Sequence, residues 1–145
     1  MSEFLDMWED SVVTNEDINS AKSEGLLESN WYPGQITEIA GRIVDQADSV
    51  LFGKTLAHCT VDLYMVDGKV RKFWFDAIPD QIRSVKTGRL TAASKNGTHL
   101  ASATGTAGQS FKSTMTQATQ MRLEFKITLD KKNAKNWLNE IRRAA

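Results

Sequence analysis

The sequence predicts a mainly β protein with two or three helices, and three observations carry that expectation. Met121 to Leu129 alternates strictly, with Met121, Leu123, Phe125, Ile127 and Leu129 set between Arg122, Glu124, Lys126 and Thr128. This is the period-two pattern of a strand with one buried face. Asp67-Gly68 stands between two β-prone arms, Thr55 to Val66 and Lys69 to Asp76, which is a hairpin signal. Ile36, Ile39, Ile43 and Val44 crowd Gln35 to Val44, a third stretch rich in β-branched residues.

Residues 1–30 carry a short amphipathic helix, roughly Glu3 to Val13, with Phe4, Leu5, Trp8 and Val12 as its apolar face. Asn30-Trp31-Tyr32-Pro33-Gly34 is a turn cluster leading into the first strand, where Gly41 is a candidate bulge. Asp45 to Lys54 connects that strand to the hairpin. Pro79 to Lys86 suits a short helix, with Pro79 in its first turn and Gly88 closing it. In 89–120, twenty of 32 residues are Ser, Thr, Ala or Gly, which predicts a mobile loop with at most a weak strand around Gln109 to Thr116. After the Met121 strand, Asn133 caps a final helix, Ala134 to Arg143, with Trp137, Leu138 and Ile141 as its apolar stripe. Meander, helix, ill-defined segment, strand and helix is the order of a five-stranded OB-like barrel with a C-terminal helix. An SH3-like barrel or a small α+β sandwich is the alternative.

A chain of 145 residues can bury a core without disulfides or a structural metal. Cys59, on the apolar side of a strand, is the single cysteine and reads as a buried structural thiol. Together with only His58 and His99, it leaves too few ligands for an ordinary zinc site. No cofactor is expected. There is no apolar run of about 20 residues and no basic-then-apolar leader. The expectation is a protein of the cytoplasm (the host cytoplasm if viral) with no membrane partner. Asn96-Gly97-Thr98 matches a glycosylation sequon, which carries no weight without secretion.

The zero net charge conceals a division. Residues 1–30 hold eight acids and one lysine, a charge of −7, and residues 31–145 carry +7. The chain therefore divides into an acidic N-terminal segment and a cationic domain from residue 31 onward. The acids are either a solubilising tail or an intramolecular competitor for the basic surface.

That surface centres on Lys54 to Asp76. Lys69-Val70-Arg71-Lys72-Phe73-Trp74-Phe75-Asp76 places three aromatics just after three cations. Because a strand alternates its faces, these cannot all point one way. A two-residue turn at Asp67-Gly68 puts Tyr64, Arg71, Phe73 and Phe75 on one face. A three-residue turn with a glycine bulge shifts register by one, sends Phe73 and Phe75 to the apolar side and puts Lys72 and Trp74 beside Tyr64 and His58. The second makes the cleaner core, and either exposes a ring beside a cation. Rings stack bases while Lys and Arg neutralise phosphates. The candidate nucleic-acid-binding residues are Lys54, Tyr64, Arg71, Lys72, Phe73, Trp74, Arg122 and Lys126.

Catalytic readings are weaker. Gly53-Lys54-Thr55 is similar to the end of a phosphate-binding loop, but Asp48 occupies the required earlier glycine position and a strand follows. Pro79-Asp80 with Glu124-Phe125-Lys126 is similar to the acid, acid-x-lysine pattern of metal-dependent nucleases, which needs clustered carboxylates such as Asp62 to join. Alternating Glu and Lys on a strand face is common. A non-enzymatic protein is expected.

The acidic lead Phe4-Leu5-Asp6-Met7-Trp8-Glu9-Asp10, Trp31-Tyr32-Pro33-Gly34 entering a strand with Ile36, and Phe52-Gly53-Lys54 before a long hairpin together resemble small bacteriophage-type single-stranded DNA-binding proteins. The resemblance implies an OB fold that coats exposed strands, without sequence preference, in replication or recombination. Single-stranded DNA or RNA, replication or recombination proteins and further copies of the chain are then the partners. In the commonest pattern of that family an acidic recruiting tail is C-terminal, whereas here the acids lead and the C-terminus is basic. Tail-mediated recruitment is therefore not carried over. A structural or assembly protein of a virus particle is the alternative function, and a metal-dependent nuclease the third.

Overall fold

The structure is a computed structural model that describes residues 2–145. Two short helices, α1 (Ser2–Asp6) and α2 (Asn15–Ser23), precede the strands β1 (Asn30–Ile43), β2 (Thr55–Tyr64) and β3 (Val70–Ala77). Helices α3 (Ala92–Thr104) and α4 (Phe111–Thr119) follow, then β4 (Leu123–Asp130) and β5 (Lys135–Arg143). All five strands form one antiparallel sheet in the order β3-β2-β1-β4-β5. Among the described residues, no helix is long and apolar enough to cross a membrane.

β1 is the spine. Its later part pairs with β2 and its first residues with β4, and Gly34 stands opposite both Leu63 and Leu123. A Cβ on Gly34 would sit 2.7 Å from the Asp62 carbonyl oxygen and 3.2 Å from the Phe125 ring. Only glycine lets both neighbours close on the strand here. β3 and β5 are the edges and do not pair with each other, so the sheet is not closed. Instead α3 packs against both edge strands, and the main core fills the space between. Val61, Leu63, Leu123, Phe125 and Ile127 are fully buried, with Leu100, Met115 and Ala118 supplied by the helices.

The hairpin turn takes three residues. The Gly68 N–H donates to the Met65 carbonyl, the Met65 N–H to the Lys69 carbonyl, and Gly68 has a φ of 82°. Phe73 and Phe75 therefore lie opposite Val61 and Cys59 on the core side, with Lys72 and Trp74 opposite Asp62 and Thr60 on the other.

The expected C-terminal helix is instead β5. Trp137, Leu138 and Ile141 read as a helical stripe, but a bulge lets Leu138 and Ile141, three residues apart, both point inward opposite Ile127 and Phe125. Asn133 caps no helix: its N–H and side-chain amide bond Asp130 in the β4–β5 turn. The Asn30–Gly34 cluster lies within β1, where Pro33 faces outward opposite Glu124, and the β1 bulge falls between Ile36 and Glu38 rather than at Gly41.

The segment 89–120, expected as a mobile loop, forms α3 and α4. Its small residues serve close approach. A Cβ on Gly97 would lie 2.2 Å from the Ile78 carbonyl oxygen, and Ala93, Ala103 and Ala118 are buried. Thr91 and Ser110 cap the helix N-termini, and Gly105, at φ 70°, ends α3. A buried hydroxyl chain joins the two helices, with Thr106 2.8 Å from Thr104 and 2.5 Å from Thr114. Pro79–Lys86 is not a helix, because Ser94 of α3 donates to the Asp80 carbonyl and accepts from the Ile82 N–H, while the Thr91 N–H donates to the Ile82 carbonyl. Alanine normally favours a helix over glycine by about 1 kcal/mol. Gly97→Ala should instead lower stability by about 2 kcal/mol or more through overpacking, read as a fall in the urea midpoint.

The acidic segment is not wholly outside the core. Leu27 is buried among the core side chains and exchanges two hydrogen bonds with the Asn136 side chain on β5. Arg71 on β3 donates to the Gly25 carbonyl at 2.5 Å. Residues 25–27 thus tie together the two edge strands that do not pair. Further forward, the expected Glu3–Val13 helix is shorter, ending at Asp6, and Phe4, Leu5, Trp8 and Val12 are exposed, Phe4 and Trp8 in edge-to-face contact.

Candidate nucleic-acid interface

Strand alternation sorts the side chains of the sheet. Opposite the core, β3 contributes Lys72 and Trp74, β2 contributes His58, Thr60, Asp62 and Tyr64, and β1 contributes Trp31 and Gln35. Glu124 and Lys126 of β4 and Glu140 and Arg142 of β5 continue the same face. Neighbouring strands lie about 4.8 Å apart, so this face spans roughly 19 Å from β3 to β5.

Three ring-and-cation groups form on it. The Arg122 guanidinium lies 4.6 Å from the centre of the Tyr64 ring, whose hydroxyl donates to Gln35. Arg142 sits 3.8 Å over the Trp31 ring, with the Lys126 ammonium 6.0 Å away. Trp74, 54% exposed, stands between Lys72 and Asp76 on β3. Acids temper this face. Lys72 pairs with Asp62, Arg142 with Glu124, and Arg42 and His58 both with Asp76. Such exposed pairs contribute at most about 1 kcal/mol, so a phosphate can replace the carboxylate. Arg122 and Lys126 make no ion pair among the described residues.

Of the residues singled out in the sequence, Tyr64, Lys72, Trp74, Arg122 and Lys126 come together here. Three do not. Phe73 packs against the core, Arg71 is engaged with the Gly25 carbonyl, and Lys54 pairs with Asp80 at 3.5 Å at the end of the β1–β2 loop. Arg71 and Phe73 leave the face because the three-residue turn reverses their side of β3. Trp31 and Arg142 also belong to the face, although their sequence neighbourhoods read as a turn and a helix. Reading Trp31, Pro33 and Gln35 as a period-two series would have recovered the first.

Other chemistry is sparse. Among the described residues, no group of three His, Cys, Asp or Glu side chains could hold a metal ion. Asp62, Asp80 and Glu124 each pair with a separate cation, so the acid, acid-x-lysine pattern is not assembled. Burial, then the charge of Asp76, pushes the Cys59 thiol up to about 12, which leaves it protonated and unreactive at neutral pH. His58 Nδ1 lies 2.7 Å from Asp76. No protein-family model matches the chain, and neither a curated protein nor a solved structure matches it.

Proposed function

We propose that this chain is a sequence-nonspecific single-stranded DNA-binding protein, without enzymatic activity, that protects exposed strands in replication or recombination. The observation that carries the reading is the face on which Trp31, Tyr64 and Trp74 alternate with Arg122, Lys126, Arg142 and Lys72. A single strand laid across it stacks bases on the rings and places phosphates against the cations, a mode indifferent to sequence because every base has a π-face. The strand order, with helices between β3 and β4, supports an OB-type barrel opened between β3 and β5, in which the β2–β3 face is a binding surface.

The reading is tested on Trp74. Each stacked base is worth about 1–3 kcal/mol, so Trp74→Ala should weaken binding to oligothymidylate roughly tenfold and reduce the quenching of tryptophan fluorescence. Unchanged affinity and quenching would remove Trp74 from the interface.

One feature favours a second reading, a structural or assembly protein of a virus particle. Phe4, Leu5, Met7, Trp8, Val12 and Val13 are all exposed on one short segment, more than the scattered apolar residues of an ordinary surface. Large assemblies in size-exclusion chromatography without nucleic acid would support it, and a small discrete species would count against it.

A further inference from the structure

Between the unpaired edges of β3 and β5 lies an open groove of about 330 Å³. Trp74 lines it from β3 and Trp137 from β5, each about half exposed. Phe73 and Leu51 make apolar parts of its wall. Arg42 stands at the rim, and Asn96 adds a carboxamide that has spent one N–H on the Asp76 carbonyl. Trp137 is held in place, since its indole N–H donates to Asp130 and the Lys135 ammonium lies 5.5 Å from its ring centre. Hydrogen bonds from Asn133 and then Trp137 keep the Asp130 carboxyl below the usual carboxylate range, so that anchor persists at neutral pH.

We infer that this groove, which shares Trp74 with the sheet face, is a subsite that takes one unpaired nucleobase, turned out of the row stacked on that face, with its phosphate at Arg42. The inference rests on the single-strand reading above and adds Trp137 and Arg42, on strands β5 and β1, to the interface. The volume lies at the small end of ligand pockets and suits one base rather than a strand. Two indoles give stacking surface, the carboxamide offers its remaining N–H and its oxygen to a base edge, and the exposed guanidinium can exchange its partly buried Asp76 partner for a phosphate. A paired base keeps its edge in the duplex and cannot enter without being flipped out. The groove therefore favours single strands over duplex.

The test uses the full chain labelled with ¹⁵N and titrated with thymidine monophosphate, followed by oligothymidylate binding. The indole N–H signal of Trp137 should shift with the nucleotide while that of Trp8 stays in place. Trp137→Ala should weaken oligothymidylate binding roughly tenfold, and Arg42→Ala, at an exposed position, should weaken it severalfold with the melting temperature unchanged. An unmoved Trp137 signal, or both variants binding like the parent, would overturn the subsite while the parent still binds oligothymidylate. A parent that binds no oligothymidylate would instead overturn the reading on which the subsite rests.

Discussion

Phe125→Ala is expected to lower the stability of the protein by about 3–5 kcal/mol, the cost of emptying a large buried aromatic site. Phe125 is fully buried at the centre of β4, paired with Tyr32 of β1 and Ile141 of β5. Its ring meets Phe75 of β3 at 6.0 Å, so one side chain joins the two edge strands that share no hydrogen bonds. The site collapses poorly because Gly34 already brings the β1 backbone against the ring. Urea denaturation should show a much lower midpoint, and a loss below about 1 kcal/mol would mean that the edges are held by something other than this contact. Trp74→Ala, at an exposed position, should change stability by no more than about 0.5 kcal/mol.

Reversing charge at Arg122 and Lys126 should have the largest effect on binding. These two cations sit over Tyr64 and near Trp31 and make no ion pair among the described residues. They therefore reach a phosphate without first surrendering a carboxylate. Log affinity for single strands falls with log salt by about 0.7 per phosphate neutralised. The Arg122→Glu, Lys126→Glu double variant should flatten that slope by about 1.4 and weaken binding at low salt by well over tenfold. Lys54→Ala, whose side chain pairs with Asp80, should leave the slope unchanged. Equal slopes in the double variant and the parent would place the strand elsewhere.

The strands were legible where one face is buried and the other wet. Leu123, Phe125 and Ile127 alternate cleanly, and the glycine after Asp67 gave the hairpin together with its two registers. β5 was not legible, because a bulge places Leu138 and Ile141 on one face at a spacing that a helix also satisfies. α3 and α4 were missed for a different reason. Their packing depends on small residues such as Gly97 and Ala118 meeting a neighbouring backbone or core, and the sequence shows small residues but not what they meet. At the candidate interface Tyr64, Arg122 and Lys126 followed from alternation alone. Whether Trp74 with Lys72 or Phe73 with Arg71 joined Tyr64 depended on one residue of register at the turn. Trp137 and Arg142 needed the fifth strand, and the tie of Leu27 to Asn136, 109 residues apart, is a contact no local pattern announces.

Salt titrated against binding to oligothymidylate, oligoribouridylate and duplex DNA of equal length decides whether the outward face of the sheet takes a single strand by stacking and phosphate contact. The expected result is quenching of tryptophan fluorescence by the single strands, an affinity that falls steeply with salt, and markedly weaker binding of the duplex. Absence of binding to single strands at low salt, or equal affinity for the duplex, would contradict it.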